Sequence, residues 1–195
     1  AFVDRRSLFT FACPMPRSSA AAQDLDTASP TPEAPEAPEA PANLRRRDRI
    51  EVRESGVHGR GVYAVTTIAK GKKIIEYKGE HISWKEALRR HPHDPTDPNH
   101  TFYFSLEDGS VIDAKFGGNR ARWINHACKP NCEAREKDGR VFIHAKRDIE
   151  PGEELFYDYG LVIEGRQTKA LKAQFACHCG AKKCRGTMLA PPGKK

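Results

Sequence analysis

The feature of this sequence that most constrains its fold is a group of three cysteines near the C-terminus. They form a C-x-C-x4-C pattern and are Cys177, Cys179 and Cys184. Three thiolates this close together suit a zinc ion in a reducing compartment better than a disulfide framework, whose cysteines would be spread along a secreted domain. A closed zinc site needs a fourth ligand, for which Cys128, Cys132 and His178 are candidates. Such a site would stabilise structure without activating water, and the alternative is a loop of reduced thiols.

A proline-rich segment near the N-terminus divides the chain into a tail and a folded part. Residues 18–43 contain one larger apolar residue, Leu25, and are dominated by small, acidic and proline residues. The prolines at the end of the segment recur every third residue, at Pro32, Pro35, Pro38 and Pro41. This spacing favours an extended polyproline helix and cannot support a core. We therefore predict a disordered tail over residues 1–44.

The two parts of the chain carry opposite net charge. Residues 1–44 hold three basic and six acidic residues, a net charge of −3, so the formal total of +7 leaves about +10 on residues 45–195. A basic folded part favours an anionic partner such as nucleic acid, an acidic peptide or a nucleosome-like particle. The alternative is a surface of scattered, solvated lysines.

The sequence predicts no membrane-spanning segment. No apolar run approaches the roughly 20 residues that cross a bilayer. Residues 1–20 combine arginines with a short apolar run from Leu8 to Cys13, which is a weak similarity to a targeting segment. The sequence begins with Ala1 rather than Met, which leaves the true start open. We expect an intracellular protein.

Short extended segments outnumber helical ones in the folded part. Strand-like patterns occur at 50–52, 74–77, 101–106, 110–112, 140–146 and 155–159. Ser83 followed by Glu86 is a capping-box pattern that predicts a short helix ending before Pro92, and residues 164–176 are a second helical candidate. The sequence therefore predicts a mostly β domain without internal repeats.

Three glycines within six residues, Gly56, Gly59 and Gly61, mark a loop whose backbone bends tightly or approaches another group closely. Their order, G-x-x-G-x-G, reverses the dinucleotide-binding fingerprint. No clear strand–loop–helix frame surrounds them, so the pattern does not indicate a Rossmann domain.

Two further segments concentrate polar and aromatic side chains. In R-W-I-N-H-A-C-K-P-N-C, Asn125 and His126 taken alone favour a turn with a satisfied imidazole. In E-E-L-F-Y-D-Y-G, strand alternation places Tyr157 and Tyr159 on one face. Two such phenols form either a core pair, which is favoured when they are taken alone, or the lining of an aromatic channel for a cationic amine.

Taken together and in this order, the segments resemble the motifs of SET-domain lysine methyltransferases. H-G-R-G-V-Y-A resembles the first motif of that family, I-E-Y-K-G-E the strand after it, and R-W-I-N-H-A-C-K-P-N-C the R-F-I-N-H-S-C-x-P-N signature. G-E-E-L-F-Y-D-Y resembles the G-E-E-L-T-Y-D-Y signature, and C-H-C-G-A-K-K-C-R-G is similar to the post-SET zinc segment. The resemblance covers about Arg49 to Met188. The absence of a cysteine-rich pre-SET module and the compact length resemble short bacterial SET proteins.

The resemblance implies a fold and a domain plan. The family fold consists of small twisted β-sheets around a pseudoknot, in which the N-H-x-C and Y-D-Y segments meet because one passes under the loop of the other. Knotted topologies are rare, and periodicity does not reveal them. The implied plan is a SET domain over residues 45–163, a post-SET zinc loop over 164–188 and a flexible tail over 189–195.

The resemblance also implies roles for individual residues. Tyr159 is the expected catalytic tyrosine, and Tyr157 is the expected residue that tunes how many methyl groups are added. The expected binding residues for S-adenosylmethionine are His58, Gly59, Arg60, Gly61, Phe102, Asn125, His126 and His178. Of these, His58 and Arg60 belong to the loop that grips the methionine part, and His178 is expected to cover the adenine. The expected zinc ligands are Cys128, Cys177, Cys179 and Cys184.

One position departs from the family pattern. Many members have a tyrosine in the strand before V-x-D-A, where this chain has Phe102 followed by Tyr103. Neighbouring strand residues point to opposite faces, so Tyr103 cannot replace the missing hydroxyl without a bulge. The number of methyl groups added is therefore open, although Tyr157 by itself favours mono- or dimethylation.

The predicted function is an S-adenosylmethionine-dependent lysine N-methyltransferase that acts on an extended peptide of a histone or histone-like protein. The substrate lysine must arrive as a free amine, although its reference pKa is about 10.4. A narrow apolar channel and the positive sulfonium both disfavour the ammonium form. Transfer then needs alignment more than a strong base, in agreement with the lack of a carboxylate pair or a catalytic Cys–His arrangement in the sequence.

Two alternatives remain at this stage. The first is a catalytically inactive SET fold that serves as a binding module, against which the retention of Asn125, His126 and Tyr159 counts. The second is a basic zinc protein that binds nucleic acid, although no recognition helix or stacking platform is evident. The expected location is a bacterial cytoplasm or nucleoid, with export to a host nucleus as a variant, and nucleic acid contact through the basic surface is an accompanying expectation.

Overall fold

A computed structural model describes residues 49–91, 101–163 and 165–191. The predicted tail over residues 1–44 and the final residues 192–195 lie outside these ranges, as does most of the proline-containing loop after the first helix.

Within the described ranges the chain folds mainly into short strands, as predicted. The strands are β1 Ile50–Glu54, β2 Arg60–Ala64, β3 Lys73–Tyr77, β4 Glu80–Ile82, β5 Tyr103–Ser105, β6 Val111–Asp113, β7 Asn125–His126, β8 Cys132–Lys137, β9 Arg140–Ala145 and β10 Phe156–Tyr157. The helices are α1 Trp84–Arg90, α2 Lys169–Gln174 and a 3₁₀ helix, Arg120–Trp123. None of the helices in the described part is long and apolar enough to span a membrane.

The strands pair into four small sheets. Three are antiparallel, with the orders β1-β2, β4-β6-β5 and β3-β9-β8. The fourth consists of β7 and β10, which run parallel although their segments are far apart in the sequence. This pairing is the contact that the predicted pseudoknot requires.

The main core lies beneath the sheets and reaches the parallel pair. Along β9, Val141, Ile143 and Ala145 are buried, with the period of two expected of a strand that has one face on the core. Tyr77 from β3 and Tyr157 from β10 are also buried in this core. Each fully buried aliphatic side chain contributes about 1.5–3 kcal/mol of transfer free energy, so the core holds β10 firmly against the rest of the domain.

Helix α1 confirms the predicted capping pattern. The hydroxyl of Ser83 accepts the backbone N–H of Glu86 at 3.2 Å, and the helix ends at Arg90, before Pro92. Arg90 donates to Glu80 at 2.8 Å and to the fully buried Asp113 at 3.0 Å. A buried carboxylate is stable only when it is paired, so this ion pair fixes the helix on the β4-β6-β5 sheet.

Helix α2 is shorter than predicted and belongs to a second small core. It starts after the capping residue Thr168, and Phe175, at its C-terminal end, packs with Leu161, Met188 and Leu189. Leu189 is 1% exposed, and the N–H of Ala190 donates to the carbonyl of Leu161 at 2.7 Å. Leu189, the first residue of the predicted flexible tail, therefore completes this apolar cluster, and the predicted bounds of the tail stay a prediction.

Candidate functional site

The two signature segments meet through the parallel pair of β7 and β10. Phe156 lies opposite Asn125, and the next residue pair continues the register. Asn131 supports this junction, because its side chain accepts the N–H of Phe156 and donates to the carbonyl of Glu154, both at 2.8 Å. The residues that the sequence predicted to be neighbours are therefore neighbours in the structure.

Tyr159 follows β10 and lies against His126. Its backbone N–H donates to Nδ1 of His126 at 3.1 Å, and its phenol donates to the carbonyl of Ile124 at 2.9 Å. Burial raises the pKa of Tyr159 well above its ordinary value, so the phenol is neutral near pH 7. A neutral phenol can orient a reacting group through hydrogen bonds but cannot act as a base.

Four aromatic rings form a continuous cluster beside this phenol. The ring centroids of Tyr157 and Tyr159 are 4.9 Å apart, those of Phe104 and Tyr157 are 6.3 Å apart, and those of Tyr77 and Phe104 are 5.4 Å apart. These distances are typical of favourable aromatic pairs. Sequence reasoning selected Tyr157 and Tyr159 but missed Tyr77 and Phe104, whose only sequence signal was their position in strand-like segments. The two tyrosines therefore belong to a larger aromatic wall.

His126 is held as a neutral imidazole. Its side chain is 2% exposed, and burial lowers its pKa to about 4 despite the opposing effect of Asp158, whose carboxylate lies 3.5 Å away. Because the N–H of Tyr159 can only donate, Nδ1 must accept, and the proton of the neutral ring resides on Nε2. Nε2 lies 3.5 Å from the sulfur of Cys128. The ring therefore links the phenol-bearing segment to the cysteines.

Glu154, a residue that sequence reasoning did not select, organises the other side of the site. Its carboxylate accepts from the side-chain amide of Asn125 at 2.9 Å and from the hydroxyl of Tyr63 at 3.0 Å. The hydroxyl of Ser55 contacts both of its oxygens, at 2.8 and 3.0 Å. The one feature of the sequence that could have indicated Glu154 is its position next to the apolar Leu155 in the G-E-E-L segment.

The glycine loop lies directly beside Asn125. The amide of Asn125 is 3.2 Å from the carbonyl of His58 and 2.9 Å from the carbonyl of Arg60. Gly59 has a φ of +42°, which favours glycine, and a Cβ at Gly61 would overlap the carboxylate of Glu154. The bend at Gly59 and the close approach of Gly61 to Glu154 thus place the predicted cofactor loop at the β7-β10 junction.

Phe102 and Tyr103 point to opposite faces, as predicted. The ring of Phe102 meets Trp123 edge-on, with centroids 5.1 Å apart, on the side of the main core. Tyr103 is buried in a separate cluster, and its hydroxyl donates to the carbonyl of Ala87 at 3.2 Å. Tyr103 therefore does not replace a hydroxyl at position 102. The backbone carbonyl of Phe102 instead accepts the phenol of Tyr77 at 3.0 Å.

The four predicted zinc ligands converge. The sulfur atoms of Cys128, Cys177, Cys179 and Cys184 all lie within 4.8 Å of one another. Cys128 is 3.6 Å from Cys177 and 3.8 Å from Cys184, and tetrahedral zinc with Zn–S bonds near 2.3 Å requires sulfur separations of about 3.8 Å. The four thiols therefore fit a closed zinc site.

The other two candidates for the fourth ligand lie outside this cluster. Cys132 is fully buried in the main core, where burial raises its pKa to about 12. His178 is exposed on the loop between Cys177 and Cys179, and its expected contact with the adenine stays a prediction. The fourth cysteine of the cluster is Cys128, which belongs to the N-H-x-C segment and stays the predicted fourth ligand.

Arg185 fastens the cysteine segment to the segment that follows β10. Its guanidinium donates to both oxygens of Asp158, at 2.6 and 2.8 Å, and its backbone N–H lies 3.3 Å from the sulfur of Cys128. A two-pronged pair of this kind holds its partners in a defined orientation. The C-terminal segment is therefore fixed beside the segment that carries Tyr159, both by this ion pair and by the second small core.

Comparisons with known proteins agree with this geometry. The family model described as SET domain matches residues 59–160, just over half of the chain. The histone-lysine N-methyltransferase set1 of Dictyostelium discoideum is 38% identical over 148 residues, which cover 73% of this chain and 10% of that protein. An H3 lysine-4 specific histone-lysine N-methyltransferase of Candida albicans is 37% identical over 150 residues, which cover 74% of this chain and 14% of that protein. Across such relatives the chain spans only 4 to 14% of their lengths.

A solved structure is also similar. It is described as ctPRC2 in an autoinhibited conformation bound to S-adenosylmethionine, and it has a TM-score of 0.52 and 33% sequence identity. The match covers 57% of this chain and 15% of that one. With the ordered motifs, the β7-β10 junction and the family match over residues 59–160, the chain belongs to the SET domain family.

Proposed function

We propose that this protein transfers methyl groups from S-adenosylmethionine to a lysine side chain of a protein substrate. The observation that carries the proposal is the junction of β7 and β10, where the neutral phenol of Tyr159 lies against His126 and beside the loop held by Asn125. The solved relative that binds S-adenosylmethionine has the same family fold. Its ligand supports the same cofactor for this chain.

The proposed cofactor site consists of the glycine loop and the β7-β10 junction. S-adenosylmethionine, when bound, supplies a methyl group on a positively charged sulfur with a neutral leaving group. Arg60 offers an exposed cation that suits the carboxylate of the methionine part, and its guanidinium lies 5.1 Å from the ring of Trp123. The amide of Asn125 and both ring nitrogens of His126 already contact protein groups, so we infer that these two residues bind the cofactor through their backbones.

The aromatic wall suits the substrate amine. The rings of Tyr157 and Phe104 replace water around the amine, and removal of water favours the neutral over the charged form. The oxygen of Tyr159 keeps lone pairs after its proton is donated to Ile124, so it can orient the amine or the methyl group. No residue needs to act as a strong base, because the lysine loses its proton to water before transfer.

The proposed role of zinc is structural. The four thiols leave no open coordination position, so a bound ion would hold the C-terminal segment against the N-H-x-C segment without taking part in chemistry. Loss of the ion would free Cys128 and its neighbour His126 from that segment.

We propose a histone, and histone H3 in particular, as the substrate. The relatives from Dictyostelium, Drosophila and human are named histone-lysine N-methyltransferases, and those from Candida albicans and Chaetomium globosum are named as specific for H3 lysine 4. A histone substrate implies that the protein acts inside a cell and on chromatin. The bacterial origin inferred from the short length, with its cytoplasmic, nucleoid or exported location, stays a prediction, as does contact with nucleic acid through the basic surface.

The number of methyl groups added is proposed to be one or two. The ring of Tyr157 lies 4.9 Å from that of Tyr159, and we infer that its hydroxyl occupies space that further methyl groups would need. Phe102 lacks the hydroxyl that many family members have at this position, so it cannot hold the amine through a hydrogen bond. Tyr157 is therefore the residue on which product multiplicity mainly depends.

In the decisive experiment, the full chain is incubated with isotope-labelled S-adenosylmethionine and one candidate substrate at a time. The candidates are histone H3, the other core histones and a histone-like bacterial protein. Labelled lysine located by mass spectrometry supports the proposal and identifies the substrate. Calorimetry with the cofactor separates the alternatives: no binding at millimolar concentration indicates an inactive binding module. Strongly salt-dependent DNA binding without any methyl transfer indicates a nucleic-acid-binding protein.

A further inference from the structure

A groove of about 650 Å³ lies outside the residues assigned to cofactor, lysine and zinc. It runs along β3 and β9 and is closed by the first residue of β1 and the start of the 3₁₀ helix. Four basic residues and one acidic residue line it. They are Lys73, Lys78, Arg120, Arg140 and Glu76. The groove therefore carries a formal charge of +3 and suits an anionic occupant.

The floor of the groove is aromatic. The amine of Lys73 lies 4.2 Å from the ring centroid of Phe142, and the guanidinium of Arg140 lies 5.1 Å from the same ring. Arg140 also donates to both oxygens of Glu76, at 2.8 and 2.7 Å, and these hydrogen bonds lower the pKa of Glu76. The side chains around Phe142 are thus held in a defined arrangement, with two cations against a partly buried aromatic ring.

An aromatic surface bordered by cations suits a proline-rich acidic peptide. Proline-rich segments enter aromatic-lined grooves as polyproline helices that are already extended, so little conformational entropy is lost on docking. Ile75, which is partly exposed, adds apolar surface to the same groove, which a simple inorganic anion would leave uncovered.

The chain itself contains a peptide of this chemistry. Residues 32–41 read P-E-A-P-E-A-P-E-A-P, and the three glutamates are Glu33, Glu36 and Glu39. A polyproline helix has three residues per turn and rises about 3.1 Å per residue, so these carboxylates would form one acidic edge with a spacing of about 9 Å. The three negative charges of this edge equal the formal positive charge of the groove.

The connection to the groove is short. Glu39 precedes Ile50 by eleven positions, and Ile50 itself lines the groove. An extended chain spans up to about 3.5 Å per residue, so this connection reaches roughly 38 Å, more than enough to fold the segment back onto β3 and β9. The peptide is therefore present at high effective concentration beside a surface of opposite charge.

We propose that the groove along β3 and β9 binds the chain's own proline–glutamate segment, residues 32–41. The proposal does not depend on methyl transfer, and its test measures contact rather than activity.

The test couples carboxylates to amines in the full chain with a water-soluble carbodiimide, at low protein concentration, and maps the linked peptides by mass spectrometry. We expect Glu33, Glu36 and Glu39 to link to Lys73 and Lys78 several-fold more than to the exposed Lys169 and Lys172 of α2. Linkage to lysines in proportion to their exposure would overturn the proposal. Linkage mainly between two chains would also overturn it, because the occupant would then be a second copy.

A matched pair of variants separates the groove from general attraction. Arg140→Gln removes one cation of the groove but no reactive lysine, and we expect it to reduce linkage to Lys73 and Lys78 at least threefold. Arg147→Gln, outside the residues that line the groove, makes the same charge change at another exposed arginine paired through two hydrogen bonds with a glutamate, Glu153, and should leave the linkage unchanged. Equal effects of the two variants would contradict docking in the groove. A synthetic peptide of residues 30–42 added in excess should suppress the linkage in the unmodified chain.

Discussion

Nε2 of His126 lies 3.5 Å from the sulfur of Cys128, and the same ring accepts the backbone N–H of Tyr159 through Nδ1. One neutral imidazole thus joins a predicted zinc ligand to the predicted catalytic residue. The cysteine cluster and the phenol are therefore parts of one structure, so a change at the cluster should be transmitted to the site where the amine is expected to bind.

Replacement of a cluster cysteine should remove zinc. Cys177→Ser breaks the four-sulfur set, so we expect the zinc content measured by atomic absorption to fall from about one ion per chain to near zero. The thermal midpoint should fall with it, because the free energy of zinc binding is coupled to folding. Cys132→Ala is the control: it trims a core side chain and should cost about 1–2 kcal/mol of stability while the zinc content stays near one. Zinc loss in the control and not in Cys177→Ser would refute the assignment.

Removal of the Tyr159 hydroxyl should impair turnover while leaving cofactor affinity nearly unchanged. Tyr159→Phe loses the hydrogen bond to Ile124 and the oxygen that orients the reacting groups, and we expect kcat to fall about 100-fold. Tyr103→Phe is the control. It also deletes a buried hydroxyl, but in a separate cluster from Tyr159, so it should cost only about 1 kcal/mol of stability and leave kcat nearly unchanged. Single-turnover rates and calorimetry check both variants. Wild-type turnover in Tyr159→Phe would exclude a catalytic role for this phenol.

A methyl group at Gly61 should disturb the cofactor loop. The added Cβ of Gly61→Ala would overlap the carboxylate of Glu154 and approach Ser55 to 3.1 Å. We expect a loss of about 1–3 kcal/mol of stability from this overpacking, together with at least tenfold weaker binding of S-adenosylmethionine. In the same loop, a Cβ at Gly56 meets no atom within 4 Å, so Gly56→Ala should change neither quantity appreciably. Chemical denaturation and calorimetry measure the two effects, and similar results for both variants would contradict a close-approach role for Gly61.

Removal of the Tyr157 hydroxyl should raise the number of methyl groups added. Tyr157→Phe keeps the ring against Tyr159 but frees the volume of one oxygen, which we expect to increase the fraction of the most highly methylated product at least threefold. Mass spectrometry of the modified substrate peptide over time gives the product distribution. An unchanged distribution would mean that the number of methyl groups is controlled elsewhere.

Local patterns predicted the local structure. The Ser83–Glu86 pattern specifies the start of α1 because a cap depends only on groups three residues apart. The strand predicted at 140–146 and the C-x-C-x4-C pattern are local in the same sense: β9 spans Arg140–Ala145, and the three cysteines lie together in the structure. The order of the motifs was enough to identify the family.

The sequence by itself determined the chemical groups of the site, and only the tertiary structure decided which of them meet. Reasoning from spacing left Cys128, Cys132 and His178 open as the fourth ligand. In the structure the cluster includes Cys128, because the segment after β7 lies against the C-terminal segment, whereas the core buries Cys132. The links of Glu154 to Asn125 and Ser55 have no sequence period, since they join segments up to 99 residues apart. Local hydrogen bonding depends on a few neighbouring residues, whereas such distant contacts depend on how the whole chain packs its apolar surface.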